Sequence, residues 1–151
     1  AKLFGLVSSI VGVLLGGLAV ARLGTVKSLA FGSLAVIASN LMFMTLAFQD
    51  DPSLTGLAIV VSADNLAMGI AGTALIAYLS SLTTASYTAT QYALFSSMYA
   101  LPGKLLMGTS GFVVDAVGYP WFFVYTSCLG IPALVMLYFL VRQRARDSAR
   151  A

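Results

Sequence analysis

Long apolar runs, separated by breaks of only a few residues, are the feature that most constrains this chain. The runs lie at about 3–21, 28–48, 54–82, 88–117 and 121–141. A helix needs about 20 apolar residues to cross roughly 30 Å of hydrocarbon, so each run is long enough to span a bilayer. The breaks are polar or turn-forming: Arg22 to Lys27, Gln49 to Ser53, Thr83 to Tyr87, and Gly118-Tyr119-Pro120. Connections this short bring neighbouring helices together antiparallel. Composition agrees, with 60% of the 151 residues hydrophobic and only 9% charged, and a mean hydropathy of +0.96. A soluble domain has about 25% charged residues, and a core of this length could not hide so much apolar surface from water. The expected fold class is therefore an all-α polytopic membrane bundle over residues 1–141, followed by a basic cytoplasmic tail over 142–151.

The same composition excludes most chemistry. Histidine is absent, which removes Ser-His-Asp and Cys-His nucleophile systems and His-ligated metals. Cys128 is alone, so there is neither an intrachain disulfide nor a CxxC site. No nucleophile–base pair or metal cluster points to an enzyme, and no metal or cofactor is expected. The net charge of +3 does not imply nucleic acid, because four of the eight basic residues crowd into Arg142 to Arg150 beside a span. The first run lacks a basic leader and a small-residue cleavage site, so it reads as a span and not a signal peptide.

Basic residues set the orientation. A cytoplasmic C-terminus places Arg22, Lys27, Arg142, Arg144, Arg146 and Arg150 inside, leaves only Lys2 outside, and turns the Asp50/Asp51 loop outward. Six against one follows the positive-inside rule. The first span then starts outside. With an odd number of spans and a start at Ala1 inside apolar sequence, at least one preceding helix is expected, a natural five-span protein being the alternative. Gly5, Ser9, Gly12 and Gly16 form a small-residue stripe along the first span, suited to close approach by another backbone.

Polar groups inside the spans are the candidates for function, because ionisable residues in a membrane are expensive and mark pathways. Asp64 and Asn65 lie ten residues into the third span, about 15 Å deep at 1.5 Å per residue. An Asp at that depth costs about 2.5–3.5 kcal/mol, while each Leu, Ile or Val returns a few tenths. Lys104 lies thirteen residues from the outer end of the fourth span, at similar depth, so an Asp64–Lys104 pair is one arrangement that would lower both costs. Ser97, Lys104, Gly108, Gly111 and Asp115 share one face of that span, as expected of a cavity lining or a sliding surface. Gln91 and Tyr92 sit near its inner end, where solute would leave or a gate would close. Pro102-Gly103 is expected to kink the helix, and Tyr119 and Trp121 read as interfacial anchors.

The run Tyr87-Thr-Ala-Thr-Gln-Tyr-Ala-Leu-Phe-Ser-Ser97, with Leu101-Pro-Gly-Lys104 and Ser110-Gly-Phe-Val-Val-Asp-Ala-Val-Gly-Tyr119, resembles the AmpG muropeptide permeases of the major facilitator superfamily. Asp64-Asn65-Leu66 with Gly69-Ile-Ala-Gly72 is similar to that family's tenth helix. The resemblance implies that the five spans are helices eight to twelve of a carrier in the bacterial inner membrane. It further implies proton-driven import of anhydro-muropeptides (GlcNAc-anhydroMurNAc with attached peptides) for peptidoglycan recycling. In that setting the partners are the lipid bilayer, the transporter's N-terminal half, a muropeptide-type solute and protons. Asp64 becomes the proton- or sugar-contacting carboxylate, and Asn65, Gln91, Tyr92 and Lys104 become polar pathway residues. The superfamily's cytoplasmic loop pattern G-x-x-x-D-R-x-G-x-x-[RK] is met by Gly17, Arg22, Gly24 and Lys27, but Ala21 stands where the acidic residue belongs. Any latch built on that loop lacks its carboxylate. Two other readings stay open: a carrier of acetyl-CoA, a drug or another solute, and a scaffold that only packs against partner helices.

Overall fold

The computed structural model describes residues 2–49, 53–84 and 86–148. They form four helices: α1 (Lys2–Leu23), α2 (Thr25–Ala47), α3 (Leu54–Ser81) and α4 (Thr88–Ser148). Each is long and apolar enough to cross a membrane. Within α4, Gly118 alone has non-helical backbone angles and divides the helix into arms at 88–117 and 119–148. Each arm runs about 45 Å at 1.5 Å per residue, more than the hydrocarbon thickness. The Asp50/Asp51 loop and Arg150 lie outside the described residues.

Two of the helix junctions are narrower than the polar breaks suggest. α1 passes into α2 through Gly24 alone (φ 82°, ψ 163°), and the arms of α4 meet at Gly118 (φ 80°, ψ 164°). The angles are almost the same, and only glycine adopts them without strain. Leu23, Thr25 and Tyr119 all accept helical angles, so one residue is enough to turn the chain. Pro120 falls in the first turn of its arm, where a missing N–H breaks no helical bond. The backbone at Pro102-Gly103, where a kink is expected, keeps helical angles. A proline removes one backbone bond, and the neighbouring bonds of a membrane helix can hold the rest. α3 starts at Ser53, whose hydroxyl accepts from the Gly56 N–H at 3.0 Å, a cap worth about 1 kcal/mol.

α3 is central, flanked by α1 and α2. Along α1, Gly5 faces Asn65, Gly12 faces Leu66, and Gly16 faces Ile70 and Thr73, so α1 and α3 run parallel. A Cβ at Gly12 would overlap the Leu66 carbonyl, and one at Gly69 would come within 2.7 Å of the Ser9 carbonyl oxygen. The two backbones are therefore in direct contact along the small-residue stripe, as the stripe leads one to expect. α2 is antiparallel to α3, with Ser39 against Asp64 and Gly32 against Ala71. The 119–148 arm is antiparallel to α2, through the Phe43–Phe123 stack at 5.2 Å and Ile37 against Gly130.

The 88–117 arm behaves differently. None of its residues is buried, and α4 barely touches α3. Adjacency in sequence does not make α3 and this arm packing partners. The buried set is small, chiefly Val26, Val60, Ala67, Ile70, Ala74 and Leu137 with Ser28, Ser39 and Ser127, while large apolar side chains cover the outside of every helix. Such a surface suits lipid as solvent, where association rests on close packing and hydrogen bonds instead of water exclusion.

Candidate functional site

Asp64 and Asn65 sit near the middle of α3, half-buried. Successive helical residues point about 100° apart, so the pair looks two ways. Asp64 turns to α2, where its Oδ1 accepts a hydrogen bond from Ser39 Oγ at 2.8 Å. Asn65 turns to α1, where its Oδ1 accepts from Ser9 Oγ at 3.0 Å, while its Nδ2 donates to the Val61 carbonyl at 2.7 Å. The dipeptide thus ties three helices together at one level.

The magnitudes show that this tie does not offset the cost of the charge. Hydrogen bonds between membrane helices average about 0.6 kcal/mol and reach about 1.7, against about 2.5–3.5 kcal/mol for placing an Asp mid-membrane. A Leu at position 64 would insert more readily. That imbalance makes Asp64 a candidate for function and not only for packing.

The other pathway candidates are elsewhere. Gln91 is half-buried, and its Oε1 accepts from the Thr84 N–H at 2.8 Å and from Thr84 Oγ1 at 3.3 Å. It closes the α3–α4 connection and does not meet Asp64. Tyr92 follows it, half-buried, and Lys104 lies further along the same arm, exposed. Among the described residues no Asp64–Lys104 ion pair forms, because that arm leaves α3 and lies apart. Asp115, Gly108 and Gly111 are likewise exposed on it. The five candidates therefore fall into two groups, Asp64 with Asn65 in the packed bundle and Gln91, Tyr92 and Lys104 on the arm.

At the α1–α2 corner, Gly17, Arg22, Gly24 and Lys27 are all exposed, while Ser28 is buried and donates its Oγ–H to the Gly24 carbonyl at 2.9 Å. Ala21, in the acid's position, offers no group to either cation. A separate apolar cleft of about 280 Å³ is lined by Phe43, Leu57, Tyr119 and Phe123 among others, with none of the polar candidates. No group of residues suited to a metal occurs among the described residues.

Ser39 and Ser9 escape a reading that looks for charges. The available signal is register: Ser39 lies nine residues before Phe48 at the C-terminal end of its span, and Asp64 ten after Leu54 at the N-terminal end of the next.

No family model matches the chain. Individual relatives do. AmpG 4 of Rickettsia conorii, a transporter by name, is 36% identical over 140 residues, which are 93% of this chain and 34% of that protein. AmpG 1 of Rickettsia bellii is 35% identical over 137 residues, 90% of this chain and 33% of the relative. The anhydromuropeptide permease of Escherichia coli K12 is 32% identical over 137 residues, 90% of this chain and 28% of the permease. These relatives are transporters and permeases by name, not enzymes. The chain spans about a third of the length of the relatives it matches. A long apolar helix bundle with a carboxylate in its middle is thus homologous, over nine-tenths of its length, to the AmpG transporters and to the anhydromuropeptide permease of E. coli.

Proposed function

We propose that this chain forms part of the C-terminal half of a major facilitator carrier that imports anhydro-muropeptides by proton symport across the bacterial inner membrane, for peptidoglycan recycling. The observation that carries the reading is the match to the E. coli anhydromuropeptide permease over 90% of the chain. In this reading the two arms of α4 are separate spans, giving five in all, and the C-terminus is cytoplasmic, as the basic residues favour. Alternating access requires two halves rocking about a central site, so the chain supplies one part of the cavity wall and the remainder of the carrier supplies the rest. Asp64 is the proton- or sugar-contacting carboxylate, with Asn65 beside it. Gln91, Tyr92 and Lys104 are polar groups on a wall that faces the other half. Gly17, Arg22, Gly24 and Lys27 form the cytoplasmic turn.

The test is uptake of labelled anhydro-muropeptide by cells lacking their own permease and producing the complete gene product that carries this sequence, with and without Asp64→Asn. Proton-dependent uptake lost in the variant supports both the substrate and Asp64. Uptake indifferent to the variant retains the substrate and makes Asp64 structural. No uptake by a well-expressed, inserted protein removes the muropeptide and favours another solute, such as acetyl-CoA or a drug.

A further inference from the structure

Ser39 has two acceptors within reach of a single hydroxyl proton. Its Oγ lies 2.8 Å from Asp64 Oδ1 and 2.9 Å from the carbonyl oxygen of Val36, in its own helix. A serine hydroxyl has one proton to donate and two lone pairs to accept with, so it can satisfy only one of these acceptors fully at a time. Ser39 is 2% exposed, which leaves water little room to replace it. Bonding to a carbonyl one turn back is common in this chain, as Ser33, Thr45 and Thr73 show. The combination with a carboxylate from another helix is what sets Ser39 apart.

We propose that Ser39 is a positioning residue that keeps the Asp64 carboxyl hydrogen-bonded in both of its protonation states. When Asp64 is ionised, Ser39 donates its proton to Oδ1. When Asp64 takes up a proton, the new carboxyl O–H donates to Ser39 Oγ, and the serine proton turns wholly to the Val36 carbonyl. The proton that arrives stays on Asp64 until it leaves, and Ser39 only reverses the direction of its bond. The α2–α3 contact then survives each proton uptake and release, and the carboxyl stays in place through the cycle.

The other half of the tie supports the distinction. Asn65 does not titrate, and its partner Ser9 makes one hydrogen bond, to Asn65 Oδ1, with no second acceptor among the described residues. Among the residues whose side chains are described, the titratable groups on the helices that pack against α3 are remote. Arg22 and Lys27 lie at the α1–α2 corner, Lys27 twelve residues from Ser39, or about 18 Å along the helix. Lys104 is exposed on an arm that α3 barely meets, and Asp115 is exposed further along that arm. Among the described residues, Ser39 is the side chain that holds Asp64.

The inference rests on the proposed proton coupling, and two readouts separate their failures. In vesicles containing the complete carrier, Ser39→Ala should lower proton-driven accumulation of muropeptide about tenfold. Counterflow exchange, which needs no net proton movement, should stay within about twofold, since the loss falls on the proton step alone. Ser39→Thr, which keeps the hydroxyl, should restore accumulation. Equal loss of both activities makes Ser39 a packing residue and overturns the proposal, as does full accumulation by Ser39→Ala. Wild-type transport indifferent to the proton gradient overturns the coupling and Ser39's part in it. The second readout is independent of transport: the infrared carboxyl band of protonated Asp64, identified by its loss in Asp64→Asn. That band should shift toward the free-carboxyl frequency in Ser39→Ala and keep its place in Ser39→Thr. A band unmoved by Ser39→Ala overturns the hydrogen bond itself.

Discussion

α1 and the 88–117 arm of α4 carry similar small-residue stripes and use them in opposite ways. On α1, Gly5, Ser9, Gly12 and Gly16 press against α3 until the backbones touch. On the arm, Gly108 and Gly111 have nothing within 4 Å of where a Cβ would sit. Glycine lets a backbone come close but provides no attraction of its own. A stripe therefore marks a surface that can be packed, and the rest of the structure decides whether a helix occupies it. α1 meets a complementary stripe on α3, where Gly69 lies opposite Ser9, Gly12 and Val13. The arm is left open, and it is the 119–148 arm, turning at Gly118, that packs against α2.

The sharpest way to break this comparison is to add the same bulk to both stripes. Gly12→Leu should destabilise the bundle by about 3 kcal/mol, because the obstacle is the Leu66 backbone and not a side chain that can rotate away. Gly108→Leu should change the same unfolding midpoint by less than about 0.5 kcal/mol. Equal effects in a denaturation series would mean that the arm is packed after all.

The two glycine corners test whether the arms are set by local backbone or by packing. Gly24→Ala and Gly118→Ala each force a Cβ into an extended positive-φ conformation that is essentially confined to glycine, at about 1–3 kcal/mol. Both should lower stability to a similar extent by thermal unfolding. A loss at Gly24 alone would mean that the open arm can readjust while the packed α1–α2 corner cannot.

The smallest expected effect is at the hydrogen bond between α1 and α3. Ser9→Ala should cost about 0.6 kcal/mol, and a double-mutant cycle with Asn65→Ala should recover a coupling of that size. A coupling near zero would assign the α1–α3 contact to glycine packing alone.

Much of the architecture was legible in advance. Apolar length predicted α1, α2 and α3 to within three residues at each end, whereas α4 continues to Ser148, seven residues past the expected end at 141; Gly118 and the Arg22–Lys27 region were recognised as breaks, and the α1 stripe was recognised as a packing surface. Asp64 and Asn65 stood out because a charge or a strongly polar group in hydrocarbon is costly unless it is paired. The pairing of helices was not legible. Lys104 is expected from residue counting at the depth of Asp64 and follows it through a short connection, yet the two do not pair, since residue counting says nothing of azimuth and a short loop does not oblige two helices to stay in contact. Ser39 was missed for a related reason: serine is inexpensive in a membrane helix, so no energetic penalty draws attention to it.

The sequence by itself determined that this chain is helical, that lipid is its solvent, and where its turns fall. Those properties follow from hydropathy and backbone preferences that each segment carries alone. The tertiary structure decided that α3 lies beside α1 and α2, that Asp64 faces Ser39 while Asn65 faces Ser9, and that the arm with Lys104 stands apart. Such choices depend on which small residues and hydroxyls come opposite one another across helices, and no single segment contains that information.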